Sequence, residues 1–139
     1  MVAFVALSWM GALPVATILA SRPRVGPAGY VFSAAVYAIG ALVCHQRPER
    51  SYHYGSAQWP VCARCLGIYA GAAFVVAVAM AAGRKTMGSS ATRTRLVLVT
   101  ALIPTALTLA FEWTTGVMPA NDVRALAGAA LGAVIGWIL

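Results

Sequence analysis

The sequence predicts an all-α integral membrane bundle of about five transmembrane helices, and three observations carry that prediction. The 139 residues are 61% hydrophobic and 9% charged, with a mean hydropathy of +0.82, whereas soluble domains carry roughly 25% charged residues. The apolar residues gather into five stretches near the roughly 20 residues of helix that a bilayer core requires. The connections between them are short and polar or rich in turn residues. A soluble domain of this size would leave about a third of its surface in water and need a polar skin. Disorder is excluded by the same composition, since a chain this apolar collapses.

The stretches are residues 2–20, 28–44, 61–82, 96–112 and 123–139, joined by 21–27, 45–60, 83–95 and 113–122. The first has no basic residue before its apolar run, as a signal peptide would, and Arg22 and Arg24 follow it. It is expected to stay in the membrane. The second ends in the polar run from Cys44, and the third opens after Pro60. The fourth carries Pro104, a site for a kink, and the fifth carries Gly128, Gly132 and Gly136. Short connections make neighbours antiparallel, so the stretches form one bundle in a single domain, 1–139.

Ten Lys and Arg against three acids leave a net charge of +7. On a five-span topology Arg22, Arg24, Arg84, Lys85, Arg93 and Arg95 fall on one side, and Arg47, Arg50, Arg64 and Arg124 on the other. The richer side is expected to be cytoplasmic, which puts the N-terminus outside and the C-terminus in the cytoplasm of a multi-pass cell membrane protein. The charges are dispersed and lack interleaved aromatics, so nucleic acid is not an expected partner. Trp59, Trp113, Tyr52 and Tyr54 read as an interfacial aromatic belt.

The chemistry-bearing residues converge on the outer side. Cys44 and His45 end the second stretch, and Cys62 and Cys65 open the third. Together they offer Cys3His, the ligand set of a closed tetrahedral zinc site, with His53 as the substitute for His45. Cys62 and Cys65 are three apart and share a helix face, at the positive end of the dipole, where thiolate is favoured. Neighbours on a regular helix diverge by about 100°, so Cys44 and His45 can share an ion only if the helix ends there. Soft thiolates also suit Cu(I).

Helical phase adds a charged pocket. Ser33, Tyr37, Gly40 and Cys44 form a small and polar stripe, and Thr105, Thr108 and Glu112 form another. Arg124 heads the Gly128, Gly132 and Gly136 ladder, and Arg64 heads Gly67 and Gly71. Small residues mark close helix contact in membranes, within the bundle or between copies in a homo-oligomer. Arg47, Arg64, Glu112, Asp122 and Arg124 are therefore expected to face inward near the thiols. Charges at such depth are costly unless paired or working in a cavity.

The run Cys44-His45-Gln46-x-Pro48-x-Arg50-Ser51-Tyr52, then Pro60-Val61-Cys62-x-Arg64-Cys65-x-Gly67-Ile68-Tyr69-x-Gly71, resembles a set of small predicted membrane proteins, the domain-of-unknown-function family numbered twenty eighty-five. Asn121-Asp122-Val123-Arg124, with Gly128 and Gly132, is similar to its C-terminal part. The resemblance implies a multi-spanning membrane protein in which Cys44, His45, Cys62, Cys65, Arg64 and Arg124 act as a unit. It names no substrate.

Three functions fit these residues. The first is a metal site, structural zinc before Cu(I), supporting a pocket for a small anionic ligand or lipid head group. The second is a membrane thiol-disulfide oxidoreductase cycling Cys62 and Cys65 with a quinone. It resembles quinone-linked disulfide-forming proteins, but those use a second cysteine pair and here Cys44 stands alone. The third is a small transporter or lipid-handling protein built on Arg64, Glu112 and Arg124.

Overall fold

The computed structural model describes residues 2–83 and 90–138. Arg84 and Lys85, two of the charges in the orientation argument, lie outside the described residues. The described residues form five α-helices: α1 (Val2–Ala20), α2 (Pro27–Val43), α3 (Ala63–Ala81), α4 (Ala91–Thr115) and α5 (Asn121–Ile138). Helix α4 starts five residues before the apolar run because Ser90 caps it, its hydroxyl accepting from the Arg93 amide at 3.4 Å. It ends at Gly116, whose φ of 69° supplies the left-handed residue that closes a helix.

By length and composition α1, α3 and α4 can each cross a membrane, and α2 is a shorter apolar helix of 17 residues. Large apolar side chains cover the outside, with Leu42 84% and Trp113 79% exposed. Facing water this surface would drive aggregation, and facing lipid it has no cost.

Two packing layers hold the bundle. In one, α1 lies between α2 and α3. Leu13, Ala16 and Val61 are fully buried beside Val36 and Cys44. Ser33 donates to the Ala16 carbonyl at 3.3 Å, and Trp9 meets Tyr69 edge to face at 6.1 Å. In the other, α3 and α5 run parallel at backbone contact. The Arg64, Ile68 and Ala72 carbonyls face Gly128, Gly132 and Gly136, while those of Ala125 and Ala129 face Gly67 and Gly71. Both series advance four residues at a time, so one helix face meets the other along its length. A Cβ at Gly67 or Gly132 would be driven into the facing carbonyl. The glycine ladders are thus an intramolecular seam, which α4 flanks through Thr105, donating to the Ala127 carbonyl at 3.0 Å.

The connection from α2 to α3 carries structure that periodicity does not announce. It contains a 3-10 turn, Pro48–Arg50, and a two-residue hairpin pairing His53 with Gln58 and Tyr54 with Ala57. The segment folds back along the bundle. The Tyr37 hydroxyl, mid-way along α2, donates to the Gln58 carbonyl. The hairpin turn at Gly55 lies in contact range of Ser21, at the far end of α1.

Candidate metal centre and charged cavity

Cys44 leaves α2 as its C-cap, with extended φ and ψ of −145° and 138°, its amide bonded to the Gly40 carbonyl at 2.9 Å. The helix therefore ends before Cys44, as the sequence argument required. Gln46 follows with φ of 47°, a left-handed conformation that costs energy for a residue with a Cβ. Its contacts explain the tolerance. The Gln46 amide donates to the Tyr37 carbonyl at 2.9 Å and the Pro60 carbonyl at 2.6 Å, and Gln58 donates to its backbone carbonyl at 2.5 Å. Gly40 makes room, since a Cβ there would strike the Pro60 carbonyl and the Gln46 amide. Gln46 thus ties the end of α2 to the start of α3.

That tie places the thiols. Cys62 is the N-cap of α3, Cys65 lies one turn further, and the Cys62 amide points at the Cys44 sulfur at 3.2 Å. The three sulfurs all lie within 4.8 Å of one another. All three cysteines are free thiols, Cys44 buried and the other two half-buried. The Cys62 thiol is held well below the usual thiol range, first by the hydrogen bond with the Cys65 side chain. Burial opposes this, and the Cys65 and Arg64 amides and the Cys44 side chain reinforce it.

The fourth expected ligand is placed differently. His45 is exposed and lines the same cavity as the thiols, but its ring stands outside the cluster of sulfurs. Extended backbone at Cys44 sends successive side chains to opposite sides. His53 is exposed on the hairpin and lines another cavity, beside Met10 and Ala129.

Beside the thiols lies a cavity of about 400 Å³, lined by Arg47, Arg50, Arg64 and Arg124 and walled on one side by Val43 and Trp113. Glu112 sits buried behind it, as its helical phase predicts. One carboxylate oxygen pairs with Arg50, and the other lies 3.1 Å from Arg124. These are charge contacts, neither aligned as a hydrogen bond. Arg124 is 2% exposed and Arg64 donates to the Thr108 hydroxyl at 3.2 Å. The stripe of Thr105, Thr108 and Glu112 is thereby accounted for.

One pocket expectation needs correction. Asp122 does not face the cavity: it is exposed, and the Tyr52 hydroxyl donates to it at 2.6 Å. Asp122 and Arg124 are two residues apart, about 200° around a helix, so burying one turns the other outward. Arg47 does line the cavity, but from its rim, with a side chain 59% exposed beside Glu49 at 3.9 Å. The residue that sequence reasoning left out is Arg50. It lies on a single 3-10 turn, where no periodicity assigns a face.

Two curated relatives match the chain over short stretches. The chain is 49% identical over 39 residues, 28% of its length, to an uncharacterized protein of Methanocaldococcus jannaschii. It is 50% identical over 30 residues, 22% of its length, to an uncharacterized protein of Methanothermobacter thermautotrophicus. These matches span 25% and 27% of the two relatives. No solved structure matches the chain. The model of a family described as predicted membrane proteins matches residues 44–138, starting at the first cysteine of the cluster. With that match spanning α3, α4, α5 and the whole cysteine and arginine site, the chain belongs to the predicted membrane protein family DUF2085.

Proposed function

We propose that this protein is a membrane metalloprotein in which Cys44, Cys62 and Cys65 supply three thiolates to one structural ion, zinc ahead of Cu(I). The mutual approach of the three sulfurs within 4.8 Å carries the reading. Tetrahedral zinc with Zn–S of ~2.3 Å needs sulfurs ~3.8 Å apart, a contraction that side-chain rotation supplies. Three thiolates and a neutral His45, swung in from the cavity rim, complete Cys3His. His45 serves this better than His53, which lies over another cavity. The ion would lock the α2–α3 connection onto the bundle at its non-cytoplasmic end.

Metal analysis with a thiol count on the same detergent-purified sample tests this. The expected result is close to one ion per chain, abolished by Cys62→Ser. A substitution at His45 lowers affinity at least tenfold in a chelator competition, and one at His53 leaves it unchanged. Folded protein that purifies without metal, and takes none up, overturns the reading. A membrane-impermeant maleimide reaching the Cys62→Ser protein's remaining thiols from outside intact cells tests the orientation.

The approach of the Cys62 and Cys65 sulfurs at the start of α3 favours one second reading, a thiol-disulfide oxidoreductase. Cys62 and Cys65 would close a disulfide, giving two electrons and two protons to a quinone. Alkylation after reoxidation separates the readings: a metal centre leaves both thiols reduced while loaded, and a redox pair loses both together.

A further inference from the structure

Two features of the cavity are unexplained by a metal on the thiols. The first is a set of paired guanidinium groups whose Nε donors remain without a hydrogen-bond partner. Arg124 is 98% buried by its 2% exposure, yet its Nε has no partner, and the Nε atoms of Arg50 and Arg64 are also buried without one. Buried polar groups in folded proteins are hydrogen-bonded in the large majority of cases, because desolvation without a partner is costly. Arg50, Arg64 and Arg124 also line the cavity, so an anion there is placed to meet their guanidinium groups.

The second feature is the direction of the helices. Because α3 and α5 run parallel in contact, their N-termini lie at the same end, and both positive dipole ends meet the cavity. Arg64 and Arg124 each sit in a first helical turn. A cation there opposes the dipole and weakens the helix, the reverse of the acidic residue that helix stability favours. The arrangement becomes favourable once an anion occupies the space between them.

Charge balance gives the same sign. Arg47, Arg50, Arg64 and Arg124 face two carboxylates, Glu49 and Glu112. A divalent ion on three thiolates would add one negative charge and still leave a positive excess.

We propose that this cavity is a binding site for a phosphoryl oxyanion, held by Arg64 and Arg124 with Arg47 at the entrance. Several guanidiniums converging on one space match an anion with several oxygens, which they bind in forked pairs. Glu112 orients Arg50 and Arg124 from behind and offsets their mutual repulsion. The exposed apolar wall of Val43 and Trp113 joins the cavity to the surface that faces lipid, so the group is either free phosphate or the headgroup of a phospholipid. The site stands on the arginines and does not depend on the thiols carrying metal.

The test uses the full chain, with metal content measured on every sample. Radiolabelled orthophosphate is offered by equilibrium dialysis in detergent, and phosphatidic acid is offered in phosphatidylcholine nanodiscs. Saturable binding near one per chain is expected for at least one probe. Phosphate bound without lipid identifies a free oxyanion, and phosphatidic acid retained with no phosphate binding identifies a headgroup. Arg64→Gln and the rim variant Arg47→Gln should each weaken that binding, Arg64→Gln at least tenfold, without changing metal content. Arg22→Gln, at the other end of α2, should match the parent. Absence of saturable binding by both probes overturns the proposal, as does an equal loss in the Arg64 and Arg22 variants.

Discussion

Glu112 and Arg124 approach to 3.1 Å with side chains only 5% and 2% exposed, the most deeply buried ion pair among the described residues. They come from different helices, α4 and α5, and Arg50 closes on the same carboxylate from the α2–α3 connection. One acid therefore gathers three parts of the chain.

Neutralising that acid leaves two guanidiniums with no counter-charge in a space already rich in cations. Glu112→Gln should destabilise the fold by about 3–5 kcal/mol, the range for stranding a buried charge. Thermal unfolding in detergent, followed by circular dichroism, reads this. The double variant Glu112→Gln with Arg124→Gln should cost less than the sum of the two singles, because the partners are coupled.

The glycine seam predicts opposite outcomes for the same substitution at two places. Gly132→Ala forces α5 away from the Ile68 carbonyl and should cost about 1–3 kcal/mol, as overpacking does. Gly11→Ala, in α1, meets nothing within 4 Å and should leave stability unchanged or raise it by up to about 1 kcal/mol. Parallel melting curves on the two variants check the contrast.

Gln46 predicts a local effect. Gln46→Ala removes both side-chain bonds that join α2 to Pro60, leaving the left-handed backbone at that position held by the Gln58 bond to its carbonyl. Loss of two partly buried hydrogen bonds should cost about 1–3 kcal/mol. Limited proteolysis should cut the 51–59 segment faster, and zinc affinity should fall although no thiol has changed.

Tyr52 sets a pH dependence. Its phenol is pushed up to about 12, first by burial and then by the hydrogen bond and negative charge of Asp122. The unfolded phenol ionises near 10, so the fold binds this proton more tightly than the unfolded chain does. Its stabilisation is whole below pH 10 and disappears as pH rises toward 12. Unfolding across that window should show a decline that Tyr52→Phe flattens.

Much of the site was legible from the residues. Cysteines three apart at a helix start share a face wherever the helix goes, and the Pro60 boundary put them at one end. Thr105, Thr108 and Glu112 were legible as a stripe for the same reason. Four placements were not. Asp122 was assigned inward with Arg124 although helical geometry allows one of them there, and that conflict was visible in the spacing. Arg50, Gln46 and His45 lie in the irregular connection, where side-chain direction depends on hydrogen bonds to distant carbonyls.

What the sequence alone determined is the membrane class, the five helices, and the set of thiols, arginines and Glu112 at one end. Hydrophobic burial and helical periodicity are local properties, and they are written residue by residue. The tertiary structure decided which helices touch. It set α3 parallel against α5, brought Arg50 onto Glu112, turned Asp122 toward Tyr52, and left His45 at the cavity rim. Those outcomes depend on which surfaces fit at backbone contact and where one buried carboxylate finds its cations, and neither is a property of any single segment.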